Sequence, residues 1–353
     1  MTATGLAIIA GKEFSDHLRS RRFHLLFGIL VVIAAVGMIT GVVQYTKDLS
    51  DYNSLQMLAE SEDDPALAGN LAGLKPSILS AYSQMGMLIG GIGVVLGIAM
   101  GFDLMTREKE SKSLKSLLAY PIFRDEVING KALGGVGAIA LAMGVVLVFS
   151  LAVVTILGIV PNLGELVRIL IFGAVSFLLV FTFFALALLM SAVSKDSGNA
   201  LLHSLIVMIV LTSFIPIFAY PPVYSAVFGD PPTPPGTSAY SYQQSSSIYT
   251  VTTTKVGVQA SGGVIDPEEL KEYERASREY MTQRQTITDI VTLVSPTGNY
   301  QTILSAASQP AGDSAPGPGN LLGALAYNII ALLAMPAAFF GLAWVRFMRE
   351  DIR

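Results

Sequence analysis

Residues 101–135 read GFDLMTREKESKSLKSLLAYPIFRDEVINGKALGG and hold a highly charged group of side chains wedged between two long apolar runs. Asp103, Arg107, Glu108, Lys109, Glu110, Lys112 and Lys115 alternate in sign over little more than three helical turns. This pattern suits ion pairing with a partner surface better than catalysis, because no nucleophile–base pair or metal-ligand spacing accompanies it. Other chemistry finds little footing. There is no cysteine, which excludes thiol catalysis and disulfides. The three histidines, His17, His24 and His203, lie far apart and form no HExxH motif, so neither a zinc nor a copper site is expected. His203 and Ser204 share a segment with Asn199, but Ser204 stands in HSLI rather than a Gly-x-Ser setting. A polar contact between helices is the better account of them. Gly130-Lys131 lacks the upstream glycine of a phosphate-binding loop, so the chain is not expected to hydrolyse ATP itself. Nothing suggests nucleic acid as a partner.

The elements around this stretch are hydrophobic. The chain has 353 residues, of which 52% are apolar and 14% charged, with a mean hydropathy of +0.59. A soluble domain has about a quarter of its residues charged, so the expected fold is an all-α polytopic membrane protein. Six spans are expected, at Phe23–Val43, Ala81–Phe102, Gly134–Val160, Leu166–Val193, Asn199–Tyr220 and Leu321–Val345, each long enough for a hydrocarbon core of about 30 Å. The first apolar run follows a long charged segment and exceeds a signal-peptide core, so it reads as a span.

Basic residues orient the spans. Lys12, Arg19, Arg21 and Arg22 precede the first. Arg107, Lys109, Lys112, Lys115, Arg124 and Lys131 join the second to the third, Lys195 marks the next tight turn, and Arg346, Arg349 and Arg353 follow the last. These are fourteen of the 22 Lys/Arg residues. Residues 44–80, on the other side, hold Lys47 and Lys75 against six acidic residues. Both termini are therefore expected in the cytoplasm.

The domain organisation follows. Residues 1–22 form an N-terminal interfacial helix, with Ile8, Phe14 and Leu18 beside charged positions. Residues 23–220 hold spans one to five, with an outer loop at 44–80 and the charged loop at 103–133. Residues 221–320 form a large extracytoplasmic insertion, and 321–353 the sixth span and cytoplasmic tail. In the insertion, Ser238–Thr254 is strand-compatible. Asp266–Val294 reads as a helix capped by Asp266, with Pro267, Glu268 and Glu269 in its first turn. Gln309–Gly319 is a Gly/Pro-rich lead into the last span. The charged loop is expected to be a helix over Asp103–Ala119, with Arg107, Glu110 and Leu114 on one side and Glu108 paired with Lys112 at i,i+4. Gly86, Gly90, Gly93, Gly97 and Gly101 in the second span give small-xxx-small spacing for close helix packing, either within the subunit or at a subunit interface. Met85, Met87, Met100 and Met105 nearby read as adaptable packing.

These motifs resemble the type-2 ABC transporter permeases. In that family a second span ends in Asp and is followed by an Arg-Glu-Arg/Lys-Glu helix, a Leu-rich turn, Ser-Pro and Gly-Lys. Here Asp103, Arg107-Glu108-Lys109-Glu110, Leu114, Leu117-Leu118, Pro121, Arg124 and Gly130-Lys131 fall in that order, although Lys112-Ser113 replaces Gly-Thr and Tyr120 replaces Ser. Lys12-Glu13-Phe14 with Arg19, Arg21 and Arg22 resembles the family's opening surface helix. Ser295-Pro296 and Tyr300 resemble its external Ser-Pro element. The topology resembles the subgroup associated with multicopper-enzyme maturation.

The resemblance implies the permease subunit of an ATP-driven exporter in a prokaryotic plasma membrane. It implies two ABC ATPase subunits, which bind the ATP and Mg, coupled through a cytoplasmic coupling helix at 103–119. It further implies a second permease copy or a paralogue, the lipid bilayer around both, and an extracytoplasmic partner for the insertion. The alternative is a mechanotransducer that transports nothing and acts on an envelope protein.

Overall fold

The computed structural model describes residues 3–61, 75–111, 123–235, 267–308, 323 and 325–349. Among them every regular element is helical. Helix α1 (Ala3–Arg19) ends at Ser20, where the chain turns into α2 (Arg21–Ser61). Ser20 Oγ accepts from Phe23 N at 3.1 Å and caps the new helix. At about 1.5 Å per residue α2 is about 60 Å long, twice the hydrocarbon thickness. The segment expected as loop from Gln44 therefore begins as a continuation of the helix, through Lys47, Asp48 and Asp51.

Next come α3 (Leu79–Gly101), a short α4 (Thr106–Glu110), α5 (Arg124–Ile156) and α6 (Leu163–Val193). Helix α5 stops at a glycine, Gly158, with φ of +81°. Helix α6 opens with a reciprocal cap, in which Asn162 Oδ1 accepts from Glu165 N and Glu165 Oε2 accepts from Asn162 N, both at 2.9 Å.

The fifth span is not the single helix expected. Helix α7 (Ser197–Ile209) widens into a π turn at Val210–Phe214, and a 3-10 turn follows at Pro216–Ala219. Helices α8 (Pro221–Phe228), α9 (Pro267–Val294), α10 (Pro296–Ser308) and α11 (Ala326–Met348) complete the described chain. Asp266, the residues 238–254 and the residues 309–319 lie outside the described residues, and α11 begins five residues after the expected Leu321.

Six of the described helical segments are long and apolar enough to cross a membrane. The chain divides into two compact units, residues 1–215 with 292–353, and residues 216–291. In the first, α6 is the central helix and packs against α3, α5, α7, α10 and α11. Leu179, Val180, Phe183, Phe184, Leu186, Ala187 and Leu188 are almost wholly buried. The glycines of α3 make this possible. A Cβ at Gly97 would lie 2.4 Å from Val180 O, and one at Gly101 2.6 Å from Phe184 O. Gly86 and Gly90 face α10 in the same way, through Leu304 and Tyr300. These glycines are used up inside the subunit, which removes them as a subunit interface. Gly91 alone of the stripe faces open space. Met85, Met100 and Met105 are core residues, and Met87 is 39% exposed.

In the second unit, Tyr224 of α8 is buried and packs edge-on against Tyr280 of α9, with ring centroids 5.6 Å apart.

Candidate functional site

The charged stretch folds into a cradle with α1 as one wall. Helix α1 lies along the first turns of α5, which present Gly130, Gly134 and Gly137 to it. A Cβ at Gly130 would meet Ile9 Cγ2 at 2.6 Å, and one at Gly134 would meet Glu13 Cβ at 2.6 Å. Phe14 packs over Gly137. Glycine is required here because the two backbones approach to contact distance.

That approach brings Lys131 against α1. Lys131 Nζ lies 2.5 Å from Glu13 Oε1 and 2.7 Å from Glu108 Oε1, with only 5% of its side chain exposed. One buried ammonium thus ties α1, α4 and α5 together, compensated by two carboxylates. Beside it, Arg22 Nη1 donates to Asp103 Oδ2 at 2.7 Å, and its guanidinium stands over the Phe102 ring at 5.8 Å.

The short helix α4 is held at both ends. Ser191 Oγ accepts from Met105 N at 3.0 Å and from Thr106 N at 3.1 Å, supplying from α6 the acceptor that the start of α4 lacks. Lys109 Nζ donates to Ala192 O at 2.8 Å and Ser194 O at 3.3 Å, at the negative end of α6. Glu110 Oε1 accepts from Ser197 N at 2.6 Å, at the positive end of α7. A cation on one helix C-terminus and an anion on the next N-terminus make α4 a brace across the turn between spans four and five.

The helix expected over Asp103–Ala119 starts three residues later than expected, and residues 112–119 lie outside the described residues. Phe102–Met105 form turns, helix covers Thr106–Glu110, and Ser111 begins another turn. The turn arises because the Met105 and Thr106 amides bond to Ser191 rather than continuing α3. Lys112, Leu114 and Pro121 lie outside the described residues. Glu108 pairs with Lys131.

Between α1 and this brace lies an open cavity of about 860 Å³. Lys12, Arg19, Arg21, Arg22 and Arg107 stand at its walls with Glu13, Asp103 and Glu110, so the basic positions expected of residues 1–22 line one cavity with the charged turn. Arg107, Lys12, Arg19, Arg21 and Arg22 are exposed, whereas Glu108 and Lys109 are half-buried braces. Arg124 opens α5. From the sequence, Lys131 is read only as an orienting charge and as part of a Gly-Lys motif, and Ser197 and Thr106 are not singled out. The available signal was a lone lysine just before an uncharged span, flanked by Gly130 and Gly134.

His17 also lines the cavity, and its Nε2 is buried without a partner. Burial holds its pKa below the ordinary 6.5, against the pull of Glu13, Asp103 and Asp16 towards protonation, while Lys131 opposes it. The folded state therefore binds the proton less readily than the unfolded chain. This contribution is whole above pH 6.5 and is lost as pH falls below it. Protection factors for amide exchange in α1, corrected for the intrinsic pH dependence of exchange, are expected to be lower at pH 5 than at pH 7.5, and less pH-dependent in His17→Gln.

Ser295, Pro296 and Tyr300 do not join the cradle. Ser295 Oγ caps α10 by accepting from Gly298 N at 3.1 Å and donates to Leu211 O at 3.0 Å, a carbonyl in the π turn. Pro296 occupies the first helical position. Tyr300 is fully buried and donates to Gly86 O at 3.0 Å, fifteen residues along α3 from Gly101, or about 22 Å. These residues seat α10 among the spans. His203 Nδ1 lies 3.3 Å from Ser194 Oγ at the end of α6, a polar contact between helices as expected, whereas Ser204 Oγ donates to Ala200 O within its own helix.

No curated protein matches the chain. The profile of the ABC-2 family transporter protein matches residues 7–352, without reaching the multicopper-maturation subgroup. With its six apolar spans, the chain therefore belongs to the ABC-2 family of transporter proteins and is a multi-pass membrane permease component of an ABC system, a family that works with ABC ATPase subunits.

Proposed function

We propose that the charged cradle is the docking site for a separate ABC ATPase, and that the chain is the membrane subunit of an exporter. The ATPase binds the ATP and Mg. Two ATPase subunits act on two permease copies, or on one copy and a paralogue, in a prokaryotic plasma membrane with both chain termini cytoplasmic. Residues 221–320 face the other side and meet the extracytoplasmic partner or gate the exit.

The observation that carries this reading is the double hold on α4. Lys109 grips the last carbonyls of α6 and Glu110 the first amide turn of α7, while Glu108 reaches Lys131 on α5. A displacement of α4 is thereby delivered to spans three, four and five together, and through the 102–105 turns to span two. The exposed Arg107 and Lys12 are free to meet the partner, whereas the braces transmit its movement.

Co-purification with the ABC ATPase encoded beside the chain tests this. Arg107→Glu combined with Lys12→Glu is expected to abolish the complex while leaving the melting temperature of the permease unchanged. Glu110→Gln is expected to keep the complex but lower transport-coupled ATP hydrolysis. A complex that survives the double reversal moves the docking site elsewhere, and the absence of any ATPase complex from the wild type overturns the reading.

A further inference from the structure

Span five carries a backbone carbonyl that its own helix does not satisfy. In a regular α-helix Leu211 O accepts from Ile215 N, four residues on. Ile215 N instead donates to Val210 O at 2.9 Å and closes the π turn over Val210–Phe214. The next amide in π register belongs to residue 216, but Pro216 has no N–H. Leu211 O is left to Ser295 Oγ, which donates to it at 3.0 Å. Ser295 is fully buried, where an unmet carbonyl beside it would carry a desolvation penalty. The serine hydroxyl is fully used. It accepts from Gly298 N and lies 3.1 Å from Thr297 Oγ1, and its one proton goes to the Leu211 carbonyl, which cannot donate in return.

Ser295 is itself held on a frame of other spans. Asn299 Nδ2 donates to Leu293 O at 2.9 Å and to Ser295 O at 3.0 Å, which locks the joint between α9 and α10. Asn299 Oδ1 accepts from Asn328 Nδ2 of α11 at 2.9 Å. Tyr300 bonds Gly86 O of α3 and stands 3.0 Å from Ser176 Oγ of α6. The π turn has weaker support. No residue of Val210–Phe214 is buried within the chain. Thr212 Oγ1 donates to Met208 O at 2.8 Å, a back-bond of the kind that bends helices. The chain passes between its two compact units after Ile215 and before Thr292, so the Ser295–Leu211 bond clips together the segments that lead into both crossings.

We propose that span five is a two-register switch, and that Ser295 pins it in the π register. One amide, Ile215 N, has two carbonyls of its own helix that can serve it. Val210 O gives the π register, and Leu211 O gives the α register once Ser295 releases it. The exchange leaves Ile215 N bonded in both states, so the choice rests on the Ser295 bond. Removing the extra residue of the π turn rotates the chain beyond Ile215 by about 100° and advances it by about 1.5 Å. The inner end of the same span is braced where Glu110 accepts from Ser197 N. Movement of span five is thereby converted, at the turn, into rotation of the chain entering residues 216–291. The switch stands whether or not the cradle docks an ATPase.

Fluorine NMR of the full chain in lipid nanodiscs, with trifluoromethyl-phenylalanine in place of Phe214, tests the proposal. Phe214 lies in the turn and is 58% exposed, so the probe reads the register without crowding it. The same probe at Phe123, before α5, controls for general unfolding. Ser295→Ala is expected to raise a second Phe214 resonance at least about fivefold over the wild type, with the Phe123 resonance unchanged. Ser295→Thr keeps the hydroxyl and is expected to retain the wild-type spectrum. Adding Pro216→Ala to Ser295→Ala supplies the π-register amide that Leu211 O lacks, and is expected to return the second resonance to its wild-type level. A second resonance that Pro216→Ala leaves in place shows only a lost cap on α10 and overturns the switch. Its absence from Ser295→Ala overturns it equally. If Ser295→Ala does not fold, Ser295→Cys keeps the volume with a weak donor and is held to the same outcomes.

Discussion

Lys131→Met is expected to lower stability by about 3–5 kcal/mol, the largest effect of any single polar substitution in the cradle. The methionine fills the same space, but it leaves Glu13 and Glu108 facing one another with their shared cation gone. Both carboxylates are largely shielded, with side chains 13% and 18% exposed. Water therefore cannot replace the ammonium without opening the α1–α5 contact. Thermal unfolding in detergent is expected to show a large drop in midpoint, with α1 becoming accessible to protease before the spans unfold. Adding Glu13→Gln and Glu108→Gln to Lys131→Met is expected to recover part of the loss, because the cost lies in unpaired charge rather than in lost packing. If Lys131→Met melts with the wild type, the three groups do not form a buried ion cluster.

Gly97→Leu is expected to prevent α3 from seating on α6. The first atom of any side chain at this position meets Val180 O at 2.4 Å and Phe184 N at 3.1 Å. Both are backbone atoms of the central helix, which cannot move aside as a flexible side chain would. Gly97→Ala alone is expected to cost about 1–3 kcal/mol, the usual range for overpacking. The leucine is expected to stop accumulation of folded protein. Gly91→Ala, in the same helix and facing open space, is expected to be neutral or slightly stabilising, since alanine is the better helix former by up to about 1 kcal/mol. Measuring the folded yield and melting midpoint of these variants side by side separates crowding from helix propensity. Equal behaviour of Gly91→Ala and Gly97→Ala would mean that α3 and α6 are not in backbone contact.

Much of the fold is legible in the residues themselves. A bilayer forces each span to satisfy its own backbone, so apolar runs of sufficient length become helices whatever their neighbours. The residues 23–43 and 166–193 behave in this way, although α2 runs on to Ser61, eighteen residues past the expected end of its span. The charged composition of 103–110 is equally legible as a segment that cannot lie in hydrocarbon. Its helical extent is not, because α4 begins where Ser191, eighty-six residues away from Met105, supplies the acceptor.

The same division holds for the site. The types and signs of Lys12, Glu13, Arg22, Asp103, Glu108 and Glu110 are local information, and the docking proposal starts from them. Which of them face a partner and which are spent on internal bracing depends on long-range placement. Glu108 meets Lys131 of α5 because Gly130 and Gly134 let α1 approach α5 closely enough to enclose Glu13, Glu108 and Lys131. The break in span five is also non-local, since the Leu211 carbonyl finds its donor in Ser295, far along the chain. Length, hydropathy and charge sign alone marked six segments long and apolar enough to cross a membrane and the polar turns between them. The tertiary structure decided which charges neutralise one another and which glycines are filled by a neighbour. Ion-paired hydrogen bonds form only at contact distance and steric overlap acts over fractions of an ångström, so only the placement of distant segments can decide them.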